Sequence, residues 1–246
     1  MKAILIPILA LYGSFACAAE KLGLPNDYTT RNIEGWNVRI DNRLISGSSA
    51  VLGVNALKVL SAKLVDISLV VPEKPLVKLR AVTIEIDLDY GGLTPMQYHD
   101  DAGWLKENGY NENLAKCVHI PVAEQLLSSF ENHRMPWVIL HELSHAYHDQ
   151  VLGFNEPRVK AVWQKFCESG KYKSVLTSPG YMREHYGLTN QMEFFAEMTE
   201  TYFGSNDFYP FVAGELKRDE PEIYNLMSEI WGPLAPREEK TATPKS

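Results

Sequence analysis

Two histidines four residues apart in an otherwise apolar stretch constrain the fold of this chain more than any other feature. The stretch PWVILHELSHAYHD, residues 136–149, contains His141, Glu142 and His145. Apolar residues recur in it at helical spacing, which predicts a helix over residues 136–151 with one buried side. Residues four apart on a helix lie one above the other, so both imidazoles can reach one metal ion. The stretch therefore predicts a metal-binding helix packed against a core.

The residues around the two histidines indicate which side chains can act as a base and which can bind the same ion. The Glu142 carboxylate lies at the next angular position, where it can take a proton from water activated by the ion. His148 lies about 10 Å along the helix axis from His141, so it is not expected to join the same site. A pattern with a third histidine ligand would need Gly at 148 and His at 151, and the chain has His148 and Val151. The third ligand is therefore expected further along the chain.

The stretch QMEFFAEMTETYF, residues 191–203, supplies candidates for that third ligand. Glu193, Glu197 and Glu200 fall within one sector of a predicted helix whose other residues are mostly apolar. Such a helix should be largely buried, and its carboxylates then need a cationic or polar partner. We favour Glu193 as the ligand, with Glu197 and Glu200 as the alternatives. Glu197 would then accept a hydrogen bond from the ring nitrogen of a ligand histidine that faces away from the ion.

Together, HELSH at 141–145 and EFFAE at 193–197 resemble the gluzincin metallopeptidases, and most of all the catalytic domain of anthrax lethal factor. In that family a tyrosine seven residues before the glutamate ligand assists at the metal, and Tyr186 stands at this position. The similarity covers roughly residues 134–203 and does not extend to the large accessory regions of the toxin, so it implies no substrate. The roles that the resemblance implies are zinc ligands for His141, His145 and Glu193, a base for Glu142 and a catalytic hydroxyl for Tyr186.

The first nineteen residues are predicted to be a secretory signal peptide. Lys2 precedes an apolar run over residues 3–12, and small residues lead to cleavage after Ala18 or Ala19. The run is too short to span a bilayer. We therefore expect a secreted or periplasmic protein with no stable membrane insertion after signal removal. Lipidation at Cys17 is a minor alternative.

Cysteine content and charge give two further expectations. Cys117 and Cys167 remain after signal removal, and an even pair in an oxidising compartment can form a disulfide. Two separate buried thiols are the alternative. The net charge of −7 and the absence of a lysine and arginine run argue against nucleic acid or an anionic membrane surface as a partner. A peptide or protein substrate is the expected partner.

The order of predicted elements indicates an α+β fold, because strands fall mainly in the first half and helices in the second. We expect a zincin-like two-lobed metallopeptidase fold with a small mixed sheet, an active-site helix and a helical C-terminal lobe. Residues 20–33 are predicted to be a polar leader, and residues 97–111 an irregular loop. Residues 117–120 are predicted to form a short strand. That strand is either an edge that pairs with extended peptides or an ordinary buried strand. The other predicted strands are 36–40 and 81–88, and the predicted helices are 50–69, 122–130, 136–151, 158–168, 191–203 and 222–230.

One catalytic domain is expected over residues 20–232, with a mixed α/β part at 20–133 and a mainly helical part with the metal site at 134–232. Residues 233–246 are charged and contain proline, which indicates a disordered tail. The remaining histidines are assigned lesser roles. We expect His99, His119 and His133 to be structural or exposed, and His185 to be a minor candidate for the cleft.

The function predicted from these residues is hydrolysis of peptide bonds by a zinc metallopeptidase that is exported and holds one Zn²⁺ per chain. A zinc-dependent amidohydrolase acting on a non-peptide or cell-wall amide is the first alternative. A catalytically silent zinc-binding module is the second. Glu142 argues against the silent module, because a purely structural site needs no base and usually has a fourth protein ligand.

Overall fold

The computed structural model describes residues 24–234, and within them five strands form a mixed sheet in the order β1-β2-β3-β5-β4. The three central strands are parallel, and β1 and β4 are antiparallel edge strands. A separate hairpin is formed by β6 and β7. The strands are β1 (Tyr28–Ile33), β2 (Trp36–Asp41), β3 (Thr83–Ile86), β4 (Gln97–Tyr98), β5 (Cys117–Ile120), β6 (Val175–Leu176) and β7 (Met182–Arg183).

Helices dominate the second half of the chain, so the α+β class is confirmed. The described helices are α1 (Ala50–Val70), α2 (Glu73–Arg80), α3 (Ala102–Glu107), α4 (Ser129–Arg134), α5 (Val138–Tyr147), α6 (Pro157–Glu168), α7 (Gln191–Phe203), α8 (Ala213–Asp219) and α9 (Pro221–Trp231). None of the helices within residues 24–234 is both long and apolar enough to cross a membrane. The predicted signal peptide and most of the predicted tail lie outside the described residues.

The two faces of the sheet have different surroundings. Side chains alternate along a strand, so Ile84 and Ile86 of β3 enter the main core while Glu85 lies on the opposite, outer face. Parts of residues 89–116 cover this outer face: Tyr90 packs against His119, and the backbone of Asn113 accepts a hydrogen bond from Arg39. They contribute a small apolar cluster of their own, formed by Tyr90, Leu93, Leu105 and Leu114.

Several segments differ from the sequence-based expectation, and the sheet decides between the two alternatives for residues 117–120. The expected leader contains β1, and the expected loop 97–111 contains β4 and α3. The strand Cys117–Ile120 is an inner strand, because β4 pairs with it and takes the edge position. Residues 122–130 do not form one helix: a 3₁₀ helix covers Ala123–Leu127, and Ser128 caps a new helix by accepting a hydrogen bond from the backbone N–H of Glu131 at 3.2 Å.

Of the two alternatives for the cysteines, the structure has separate thiols, because both are free. Cys117 is buried in β5, where its Sγ lies 3.4 Å from a guanidinium nitrogen of Arg39, which reaches across from β2 on the far side of β3. Cys167 is half-buried near the end of α6. Each thiol therefore belongs to a different packing environment, one between sheet strands and one on a helix.

Candidate metal centre

Helices α5 and α7 bring the three predicted metal ligands together. A carboxylate oxygen of Glu193, Oε2, lies 3.2 Å from Nε2 of His141 and 3.4 Å from Nε2 of His145. One ligand atom from each residue falls within 4.8 Å of the other two. Two imidazole nitrogens and one carboxylate oxygen form a donor set of the kind that binds zinc. These buried and half-buried side chains can hold a metal ion.

Local sequence places Glu193 at the start of its helix. The Asn190 side chain accepts hydrogen bonds from the backbone N–H groups of Met192 and Glu193, at 2.9 and 2.8 Å. This cap begins α7 at Gln191, so Glu193 lies in the first turn and the two later glutamates lie deeper along the helix. On the other helix, buried Ile139, Leu140 and Leu143 hold α5 in the core and leave its histidines directed at α7.

A second carboxylate holds His141 from the side away from Glu193. Oε1 of Glu200 is 2.6 Å from Nδ1 of His141, whereas Oε1 of Glu197 is 3.8 Å away. The contact expected for Glu197 is thus made by Glu200. Helix geometry explains the difference, since a seven-residue step returns to within about 20° of the same direction and a four-residue step departs by about 40°. A carboxylate at Nδ1 fixes the ring and leaves Nε2 to face the cavity.

The surroundings of His141 are strongly acidic. Glu197, Glu200 and Asp207 are buried, and each has one carboxylate oxygen without a hydrogen-bond partner among residues 24–234. Burial raises the pKa of Asp207 to about 6 and holds the pKa of Glu197 well above its usual range. Arg134 lies 3.5 Å from Asp207 and offsets part of this charge. Buried carboxyl groups with unsatisfied oxygens are costly, and a cation bound by the imidazoles would offset part of that cost.

His141 and Glu193 shift each other's pKa. Burial lowers the pKa of His141, but hydrogen bonds to Glu193 and Glu200 outweigh it and leave the pKa above its usual value. Burial likewise raises the pKa of Glu193, and hydrogen bonds from His141 and His145 overcome it, which lowers the pKa to about 2. The Glu193 carboxylate is thus shared between two imidazoles.

A cavity of about 750 Å³ opens beside these ligands and includes both predicted catalytic residues. Glu142 is buried at its wall, and its Oε2 accepts a hydrogen bond of 2.8 Å from the backbone N–H of Tyr98 in the edge strand β4. Burial raises the pKa of Glu142. Tyr186 lines the same cavity and remains 44 % exposed, so its hydroxyl is accessible to a ligand.

Two other histidines near the motif do not line this cavity. His148 is buried against Phe154 and Phe195, and burial lowers its pKa to about 4. His185 packs against aromatic rings, and its Nδ1 accepts a hydrogen bond of 3.0 Å from the backbone N–H of Gly187. The minor expectation that His185 reaches the cleft therefore has no support in the geometry, and both side chains serve packing.

Sequence reasoning missed three contributors to the site. The contact of Glu200 with His141 was recoverable from the seven-residue spacing within α7. The backbone contact of Tyr98 with Glu142 and the pair formed by Arg134 and Asp207 join distant segments and carry no local signal. Compared with protein-family models, with curated proteins and with solved structures, the chain matches none of them.

Proposed function

We propose that the protein is an exported zinc metallopeptidase with a zincin-like fold, which cleaves peptide bonds with Glu142 as its general base. The observation that carries this proposal is the meeting of His141, His145 and Glu193 at one point, with Glu142 beside them at the wall of a large cavity. The helical spacing of the two histidines and the capped start of α7 both support this arrangement, since each directs its side chains to the same place.

The residues present fit a zinc ion of the catalytic kind. Catalytic zinc sites have three protein ligands and leave one position for water or substrate, whereas structural sites usually close with four protein ligands. Three ligands are available here, and the fourth side faces the cavity. The Glu200 carboxylate at Nδ1 of His141 also supports this reading, because ligand histidines commonly donate their other ring N–H to a carboxylate.

When bound, zinc would supply a Lewis acid that polarises a carbonyl group and makes water more acidic. Glu142 takes the proton from the attacking water and passes it to the leaving amine, so its carboxylate returns to its starting state. The Tyr98 N–H holds one oxygen of that carboxylate and leaves the other available for proton transfer. The Tyr186 hydroxyl donates a hydrogen bond to the oxygen that becomes negative as the amide is attacked.

A peptide is favoured over a non-peptide amide by the position of β4. This edge strand borders the cavity, and its backbone contacts the base directly. An extended peptide can pair with such an edge through main-chain hydrogen bonds. A cell-wall amide has no extended backbone that could pair with this edge, so it remains the second candidate.

The test is a digest of a peptide library and of peptidoglycan fragments by the zinc-loaded chain, with and without a zinc chelator. We expect peptide cleavage that the chelator abolishes. Glu142→Gln should keep its zinc and lose about 10²–10⁴-fold in turnover, since it removes the base and no ligand. Glu124→Gln, the same change at an exposed carboxylate outside the cavity lining, is the matched control and should be fully active. Cleavage of peptidoglycan alone would replace the peptidase proposal, and full activity of Glu142→Gln would reject the assigned base.

A further inference from the structure

We propose that the outer face of the sheet holds a second metal site, in which Glu85, Asp87 and His119 bind a divalent transition-metal ion. One ligand atom from each of these residues lies within 4.8 Å of the other two. We call these three residues and His99 the outer-face cluster. The proposal does not depend on the function of the cavity, because none of its three ligands lines that cavity.

Strand geometry places the three ligands together. The parallel pairing of β3 with β5 sets Glu85 opposite His119. Asp87 follows Glu85 by two residues, so its side chain lies on the same face of the sheet. His99 comes directly after the edge strand β4, and its backbone exchanges hydrogen bonds with Lys116 and Cys117. The cluster therefore joins two central strands to the segment that covers them.

Burial and charge in the cluster call for a cation. Asp87 and His119 are fully buried and Glu85 is 3 % exposed. Arg39 lies 2.6 Å from Oε2 of Glu85 and offsets the charge of that carboxylate, so the uncompensated charge is that of Asp87. Oδ2 of Asp87 has only the His119 Nε2, at 2.8 Å, and its Oδ1 has no hydrogen-bond partner among residues 24–234. A buried carboxylate with an unsatisfied oxygen is costly, and an ion at this point removes that cost.

Two neighbouring groups prepare the site for an ion. The Tyr28 hydroxyl is buried beside both carboxylates, and burial together with the charges of Glu85 and Asp87 raises its pKa. Nδ1 of His119 lies 3.1 Å from Nε2 of His99. Either ring can donate in this pair, so moving the His119 proton from Nε2 to Nδ1 keeps the bond and frees Nε2 for the ion. His99 is thus a positioning residue for the His119 ligand.

The donor set indicates the class of ion. One imidazole with two carboxylates suits Zn²⁺ or Mn²⁺, whereas Ca²⁺ and Mg²⁺ prefer oxygen ligands alone. The ligands are enclosed beneath residues 89–116, which suits a structural ion. Such an ion would fasten this covering segment to the sheet. Because the segment includes β4, the site would also stabilise the strand that contacts Glu142.

Metal content of the full chain tests the proposal. The double variant His141→Ala/His145→Ala removes the cavity site and is equilibrated with Zn²⁺ or Mn²⁺, freed of excess ion and measured by elemental analysis. We expect about one ion per chain, which a further Asp87→Asn change removes. Asp89→Asn is the matched control, because it removes a carboxylate two residues away whose side chain is 60 % exposed. If the His141→Ala/His145→Ala variant folds and binds neither Zn²⁺ nor Mn²⁺, the proposal is overturned.

A second measurement covers the case in which the double variant does not fold. In the otherwise unchanged chain, Asp87→Asn should lower the metal content by one ion per chain, and Asp89→Asn should not. Equal metal content in Asp87→Asn and the unchanged chain would overturn the second site. The two proposals fail separately: a cavity that binds no metal leaves one ion that Asp87→Asn removes, and an outer face that binds none leaves one ion that Glu193→Ala removes.

Discussion

Two clusters of imidazole and carboxylate groups in this chain are built in different ways. In the cavity, two helices supply the residues, with His141 and His145 one turn apart on α5 and Glu193 at the start of α7. In the outer-face cluster, strand alternation and parallel register supply Glu85, Asp87 and His119. Helical periodicity made the first cluster visible in the sequence. The second depends on which strands become neighbours, which no local pattern shows.

The clusters also differ in how far their side chains are exposed to solvent. A reactive site must be open to a substrate, whereas a structural site can be enclosed. The side chains of His145 and Glu193 are 13 % and 18 % exposed and face a cavity of about 750 Å³. Those of His119 and Asp87 are fully buried. The open cluster has an additional carboxylate, Glu142, that can serve as a base. We therefore expect changes in the cavity to alter catalysis directly and changes in the outer-face cluster to act first on metal retention.

The largest expected effect is that of Glu193→Ala. It removes a ligand at the open cluster, so the cavity should lose its metal and the chain should lose peptide hydrolysis, while the outer-face cluster keeps its ion. Elemental analysis and a peptide-cleavage assay measure both outcomes. Glu184→Ala is the control, since this exposed glutamate lies outside the cavity lining. If Glu193→Ala keeps all of its metal and Glu197→Ala or Glu200→Ala loses it, the ligand has been placed one or two turns too early.

A smaller loss is expected for Tyr186→Phe. Its hydroxyl is assigned to the oxygen that becomes negative in the transition state, so turnover should fall by about 10²–10³-fold, the usual cost of one such donor. Metal content and the Michaelis constant should stay close to those of the unchanged chain. Tyr181→Phe, at a 50 % exposed tyrosine of the nearby hairpin, is the control. Full activity of Tyr186→Phe would end the parallel with gluzincins at the metal ligands.

A still smaller effect is expected from the carboxylates behind His141. Glu200→Gln should weaken zinc binding in the cavity by about 10–100-fold, because a neutral amide replaces the carboxylate 2.6 Å from Nδ1 and weakens the hydrogen bond that orients the ring. Glu197→Gln should weaken it less, since its oxygen is 3.8 Å from the same nitrogen. Competition with a chromophoric zinc chelator gives both affinities. A larger loss of zinc affinity in Glu197→Gln than in Glu200→Gln would restore the role that the sequence assigned to Glu197.

The sequence was most informative where local signals agree. Helix α7 spans the predicted residues 191–203, because Asn190 caps its start and the apolar residues keep helical spacing. The α+β class followed from the order of elements, and the three residues favoured as cavity ligands lie together. These features depend on contacts within a helix or on a side chain's direction from it, which periodicity determines.

Features that depend on pairing between distant segments of the chain could not be predicted from the sequence. Residues 117–120 read equally well as an edge or an inner strand, and only the pairing with β4 made them inner. The alternation of Glu85 and Asp87 with isoleucines is typical of a strand with one face in water. Here residues 89–116 cover that face, so polar residues that the pattern places at the surface are buried. His99 and His119, expected to be structural or exposed, therefore lie in a buried polar cluster.

The smallest expected effect is that of His99→Phe, which compares the groups behind the two ligand histidines. Glu200 offers a carboxylate to His141, whereas His99 offers a neutral imidazole to His119, and burial lowers the pKa of His99 to about 4. A charged acceptor strengthens a metal-bound imidazole more than a neutral one, because charge-assisted hydrogen bonds are about twice as strong.

His99→Phe keeps a ring of similar shape and removes the 3.1 Å contact, so the affinity of the outer-face cluster should fall by about 10-fold, the low end for such partners. The measurement uses the His141→Ala/His145→Ala background, in which the outer-face ion is expected to be the only one bound, and titrates it with a competing chelator. His133→Phe, at an exposed histidine of α4, is the matched control and should leave the affinity unchanged. A loss as large as that of Glu200→Gln in the cavity would show that a neutral partner orients its ligand as strongly as a charged one. Unchanged affinity in His99→Phe would remove His99 from the metal site and leave it a packing residue of the covering segment.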